Sequence, residues 1–206
     1  MTKKQIVILW GLTAAILIIF ALAGYIISRS SEKGLPQTAK SSGQTYRLPA
    51  IPQSARNLYP LADQAARSWQ KDARLVSASA SWLFVEIDHL SQPTNWTFQF
   101  FSPRTQKMYV VSVSDQQVTT IRDSLSPYTL PSASVERWSL DSHQALAAWL
   151  NHGGGDFLKQ HPIVDVNAML RPGDGESLEW VVIGAVRDSQ TMYQLRIDAR
   201  SGAVLQ

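Results

Sequence analysis

His152, Asp156 and His161 raise the first chemical question. They place two imidazoles and a carboxylate close together in sequence, and these are the donor types of a zinc site. Their spacing matches no strong ligand pattern, and Gly153-Gly154-Gly155 gives them no fixed helical face. A metal-assisted envelope hydrolase built on these three is the second of three functional readings, and the third is a structural component of an envelope division or secretion complex. His152 and the glycines also imitate the oxyanion loop of esterases. That loop serves a serine in a G-x-S-x-G elbow, and the sequence contains none. The glycines read as a helix stop.

Other groups carry weaker chemistry. Asp174, Glu176 and Glu179 could line a calcium loop, but the full ligand spacing is missing and a solvated hairpin loop accounts for them. Asn95-Trp96-Thr97 has the pattern of a glycosylation acceptor, yet it opens an aromatic strand. The 206 residues include no cysteine. Disulfides, thiol catalysis, cysteine-held metals and a lipidated cysteine are therefore excluded. No catalytic residue, metal or cofactor is implied.

The elements that would position any site begin with a membrane segment. Residues 6–27, from Ile6 to Ile27, read IVILWGLTAAILIIFALAGYII without a charge. About 20 apolar residues suffice for a helix to cross a bilayer. The run could also be a cleaved leader ending at Ala21-Leu22-Ala23, but it exceeds the usual leader core and continues past that point. We expect an uncleaved transmembrane helix after a short head, residues 1–5. Lys3 and Lys4 before it nearly balance Arg29 and Lys33 after it, so the charge rule for orientation is close to a tie. The folded part is placed outside the cytoplasm. Residues 28–57 read as a flexible linker rich in Ser, Gly, Lys and Gln.

The pI of about 9.3 belongs to this N-terminal region. Lys3, Lys4, Arg29, Lys33, Lys40 and Arg47 face only Glu32, leaving 13 cations against 15 acids from residue 51 onward. The globular part is not basic, which argues against a nucleic-acid partner.

Beyond the linker, two segments follow the same order. Leu58 to Asp72 has helical spacing, Asn95 to Phe101 and Met108 to Val113 alternate as strands, and Val118 to Ile121 adds a short one. Leu140 to Asn151 is again helical, followed by strands at Ile163 to Leu170, Leu178 to Val186 and the final hairpin. Trp69 and Trp149 are 80 residues apart, Trp96 and Trp180 84, Met108 and Met192 84, and Val118 and Val204 86. Rare markers in one order indicate duplication. The expected fold class is α+β: two tandem repeats of a helix on a small antiparallel sheet, residues 58–122 and 138–206, joined by a connector at 123–137 and preceded by one transmembrane helix. Trp69, Trp96, Trp149 and Trp180 fall on core faces. Trp82 and Trp138 are less clearly placed, and either would be a candidate contact for a peptide or glycan if exposed on the sheet.

The closing hairpin, Ile197-Asp-Ala-Arg-Ser-Gly-Ala-Val204, supplies a signature. Asp198 can accept backbone amides in the turn, and Gly202 can take a positive φ. Ile197, Asp198, Gly202 and Val204 resemble the apolar-x-Asp-x-x-x-Gly-x-apolar hairpin of PepSY and PepSY-like proteins. The first copy, Ser114 to Val118, departs from it by lacking the glycine. The resemblance implies an extracytoplasmic binding or regulatory module with no catalytic residues to carry over. It also implies an envelope protein or peptide as partner, with the membrane engaged through residues 6–27.

Overall fold

The structure, a computed structural model, describes residues 46–48, 52–83, 85, 90, 93, 95–115, 117–161, 163–175, 177–187 and 189–205. The expected transmembrane segment, residues 6–27, lies outside them. Among the described residues no helix is long and apolar enough to cross a bilayer.

Alternation sets the strands. In β2 (Trp96–Ser102) the side chains of Trp96, Phe98 and Phe100 are buried while Thr97 and Gln99 are half-buried. The same period shapes β5 (Val164–Pro172), while β3 (Lys107–Ser114) and β6 (Leu178–Val186) bury consecutive residues on both faces. The remaining strands are β1 (Arg74–Trp82), β4 (Gln117–Leu125), β7 (Met192–Asp198) and β8 (Val204–Leu205). All neighbours pair antiparallel, in the order β4-β3-β2-β1-β5-β6-β7-β8.

This order corrects the expected fold class. The two segments do not carry separate small sheets. They share one eight-stranded sheet, joined where Ala78, Ser79, Ala80, Ser81 and Trp82 of β1 face Leu170, Met169, Ala168, Asn167 and Val166 of β5. Two four-stranded sheets would each leave an inner edge of unpaired amides and carbonyls, and pairing β1 with β5 removes both edges. The registers on either side of this seam match. Trp96 faces Val113 as Trp180 faces Ile197, and Phe98 faces Val111 as Val182 faces Leu195.

Helix α1 (Ala55–Trp69) buries Ala55, Leu58, Ala62 and Ala66, a stripe of three- and four-residue spacing. It starts earlier than the sequence pattern suggested because the Ser54 hydroxyl accepts from the Asn57 amide at 3.4 Å and caps it. Pro60 thus lies inside the helix, not in its first turn. Helix α2 (Ser142–Trp149) is capped by Asp141, with Gln144 reaching back to the Asp141 amide at 2.9 Å. Both helices pack into one core on one face of the sheet.

The helices meet at their N-termini. The Ala55 amide donates to Ser142 Oγ at 3.2 Å, and the Arg56 amide to Asp141 Oδ1 at 3.1 Å. Asp141 therefore serves the positive ends of both helices. The segment expected as free linker is also engaged before α1 begins. The Asn151 side chain accepts from the Tyr46 amide at 2.6 Å and donates to the Tyr46 carbonyl at 3.0 Å.

Candidate functional site

The residues that raised metal chemistry do not converge. His152 Nδ1 lies 2.8 Å from the Ala148 carbonyl, Asp156 lies 3.7 Å from the Lys159 ammonium, and the His161 ring packs on Phe157 at 4.8 Å. Among the described residues no three metal-ligating side chains come together. Glu179 is also otherwise engaged. Its carboxylate is buried between Arg171, at 2.9 Å, and Arg196, at 2.8 Å, and Arg196 also lies 3.5 Å from Asp174. This pairing keeps the Arg196 guanidinium more firmly protonated. Glu176 lies outside the described residues.

The glycine run does more than stop a helix. Gly153, at φ +119°, ends the regular path of α2, and a π turn (Leu150–Gly154) leads directly into α3 (Gly155–Gln160). A ring fills the place of each missing side chain. A Cβ on Gly153 would meet the Tyr193 hydroxyl at 2.9 Å, one on Gly154 the Trp149 ring at 2.4 Å, and one on Gly155 the Tyr46 ring at 2.5 Å. The Tyr193 hydroxyl also donates to the His152 carbonyl. The run resembled an oxyanion loop; here it is a packing surface for aromatics.

Trp82 and Trp138 are buried, at 6% and 2% exposure, and the exposure that would have made them contacts is not met. Both belong to the core under the sheet. Ring centroids run from Trp82 to Trp96 at 6.3 Å, Trp96 to Trp180 at 5.9 Å, Trp180 to Trp138 at 6.1 Å and Trp138 to Tyr59 at 5.7 Å, with edge-on geometry throughout. The chain of rings crosses the β1–β5 seam. Trp138 and Trp180 both donate to the Leu140 carbonyl, at 3.0 and 2.8 Å, and Trp96 to Gln53 at 2.9 Å. Sequence period alone did not place Trp138, because it follows a short 3-10 turn (Val135–Arg137) instead of lying in a strand.

The closing hairpin has the geometry its residues suggested. Asp198 Oδ1 accepts from the amides of Arg200 at 3.1 Å and Ser201 at 2.6 Å, and from Ser201 Oγ at 2.7 Å. Gly202 sits at φ +77°. The Ser201 hydroxyl and the two amides hold the Asp198 carboxyl below its ordinary range. These contacts shape the turn and leave the carboxylate engaged within it.

Among the described residues the sheet ends at β4 on one side and at the two-residue β8 on the other. The core-facing helices occupy a single face. On the other, Ser79, Thr97 and Ser112 form a polar row beside the buried apolar Phe101, Val110 and Val181, which stand outside the helix-side core. β4 ends the sheet order, and its residues are exposed along nearly their whole length. Four of the eight exposed large apolar side chains among the described residues fall on or just after it: Val118, Ile121, Leu125 and Tyr128. At the β3–β4 turn, Asp115 borders a groove otherwise lined from the α1 side, by Pro52, Gln53, Asn57, Leu58 and Leu61. The sequence pattern gave only residues 118–121 as a strand here. Nothing in one sequence distinguishes an edge from an inner strand.

The chain matches no protein-family model, and no curated protein matches it. Among solved structures it is similar to a crystal structure from Clostridium difficile 630 described as a lipoprotein, at 16% identity, covering 80% of this chain and 94% of that one, with a TM-score of 0.45.

Proposed function

We propose that the chain is a membrane-anchored, non-catalytic binding or regulatory module of the cell envelope, with its folded part outside the cytoplasm. The observation that carries this reading is β4, a nine-residue strand that ends the sheet order among the described residues and exposes Val118, Ile121 and Leu125 beside Arg122 and Asp123. Charges and a bulge blunt such an edge against indiscriminate pairing, and the apolar side chains left exposed on it suit a protein partner. The uncharged run at residues 6–27 supports the anchor, and the polar stretch after it supports a domain held off the membrane. The partner would be an envelope protein or peptide. Kinship with PepSY-like proteins is part of the same proposal, resting on Ile197, Asp198, Gly202 and Val204.

Two measurements in intact cells test it. Protease added outside should digest the folded part without lysis. Protection until lysis would overturn the placement. A photo-crosslinking residue at Thr119 should give a discrete protein adduct. The absence of adducts there and across the helix-free face would overturn the binding role.

A further inference from the structure

We infer that Arg171 and Arg196 form a carboxylate-binding site on the helix-free face of the sheet, one that takes an acidic segment of a partner protein. This rests on the binding-module reading and names the chemistry of the partner. The site is built around Glu179. Leu178 and Trp180 on either side of it belong to the helix-side core, so alternation turns Glu179 to the opposite face. Arg171 lies directly across from it on β5, and Arg196 lies diagonally from it on β7. Glu179 is buried at 1% exposure, while the Arg171 and Arg196 side chains keep 36% and 29%. Each carboxylate oxygen holds one guanidinium by its inner nitrogen. Oε1 accepts from Arg171 Nε at 2.9 Å, and Oε2 accepts from Arg196 Nε at 3.0 Å and Nη2 at 2.8 Å. Both Nη groups of Arg171 and Nη1 of Arg196 make no hydrogen bond among the described residues. The free end of Arg171 thus offers the two parallel N–H groups that a carboxylate accepts as a pair.

Stability alone is a weak reason for such a triad, because apolar side chains of similar size would join β5, β6 and β7 at no greater cost. The neighbouring turn is shaped to it. A Cβ on Gly173 would meet Ser177 Oγ at 2.4 Å and Glu179 Oε2 at 3.2 Å, so the β5–β6 turn lies against the buried carboxylate and shields it from water. The same turn supplies an occupant in cis. Asp174 is fully exposed, yet its Oδ2 lies 3.5 Å from Arg196 Nη2, where a partner's carboxylate would sit. An exposed pair of this kind is weak and readily exchanged. Arg187, on the same face, is engaged differently: Asp165 accepts from its Nε at 3.3 Å and its Nη2 at 2.9 Å. Acids outnumber bases from residue 51 onward, so attraction to an acidic partner is local to Arg171 and Arg196 and not a property of the whole surface.

The test is a titration of the full chain in detergent, isotope-labelled at arginine nitrogen and read by the Nε–H resonances. The probe is a capped tetraglutamate peptide, with capped tetraglutamine and inorganic phosphate beside it. The Arg171 and Arg196 resonances should move saturably with tetraglutamate and stay still with tetraglutamine. Those of Arg67 and Arg187, which pair with Asp63 and Asp165, should stay still with both. Asp174→Asn should tighten tetraglutamate binding about threefold, the scale of an exposed ion pair. Arg171→Lys and Arg196→Lys keep a cation beside Glu179 and remove the fork, so each should fold and weaken binding about tenfold. The inference is overturned if the Arg67 and Arg187 resonances move as far as those of Arg171 and Arg196, or if no arginine responds. It is also overturned if Asp174→Asn leaves the affinity unchanged, or if both lysine variants bind as the wild type does. Tighter binding of phosphate than of tetraglutamate would overturn the carboxylate as ligand. A protein adduct at Thr119 with silent arginines would sink this inference and leave the binding-module reading standing.

Discussion

Trp149 shows how a single ring can dictate glycine at two distant positions. It is fully buried, and its six-membered ring lies where a Cβ of Gly154 or of Gly184 would stand, 2.4 and 2.8 Å away. Gly154→Ala should therefore cost about 2 kcal/mol, the scale of overpacking a closed core. Combining it with Trp149→Leu should cost less than the sum of the two, which a urea-unfolding double-mutant cycle would measure. Asp198 makes a pH prediction of the opposite kind. Its carboxylate is favoured in the folded state, so it adds stability in full above the unfolded carboxyl range, near pH 4. That stability is lost as pH falls through the lowered folded value. Wild type and Asp198→Asn should converge in melting temperature as pH drops from about 6 toward 3. Parallel curves would show that the charge contributes nothing. The hairpin was legible because Asp and Gly occupy fixed offsets in a local turn. The role of Trp149 was not, because Gly184 lies on another element.

At the element scale, the two helices depend on one cap. Asp141 accepts from the Ser142 amide at 2.6 Å and from the Arg56 amide at 3.1 Å, so its loss leaves two helix ends short of a partner. Asp141→Ala should destabilise the protein by about 2 kcal/mol, above the usual single-cap value, and Asp141→Asn by less. Thermal melts followed by far-ultraviolet circular dichroism would rank the two. The bond between Asp141 and Arg56 was not legible, since no local pattern links residues 85 apart. The closing strand is a second element-scale case. β8 pairs Val204 with Ile197 and Leu205 with Arg196, and the Asp198 amide donates to the Ala203 carbonyl at 2.8 Å. Deleting residues 203–206 should lower stability by about 2 kcal/mol through those lost bonds. An unchanged melting temperature would show that β8 adds nothing to the sheet. Strands β2, β3 and β7 were readable because aromatic and branched residues alternate with polar ones, and β6 because it is a short apolar, β-branched run. β1 was less clear: its sequence RLVSASASW carries small residues where hydrophobic contrast is usually read.

Across the whole molecule, the β1–β5 seam and the rings beneath it join the two segments. Trp96 belongs to one segment and Trp180 to the other, yet their centroids lie 5.9 Å apart in a single core. We expect residues 46–205 to unfold in one cooperative transition, with calorimetric and van't Hoff enthalpies equal. Two transitions, or one half melting while tryptophans of the other stay quenched, would show that the seam is weak. The repeated order of helix and strands was legible from rare residues. The merging of the sheets was not, because local period says what forms a strand and nothing about which distant strand it will meet.

The seam also sets a clock during synthesis. Ala78 faces Leu170, and ribosomes add roughly 5–20 residues each second, so β1 emerges several seconds to a quarter of a minute before its partner. Over the same interval the Arg56 amide awaits Asp141, and Tyr46 awaits Asn151. The nascent first segment thus leaves the ribosome with two open edges instead of one. One of those edges closes only when β5 arrives, and premature pairing there is the error this chain must avoid as it is made.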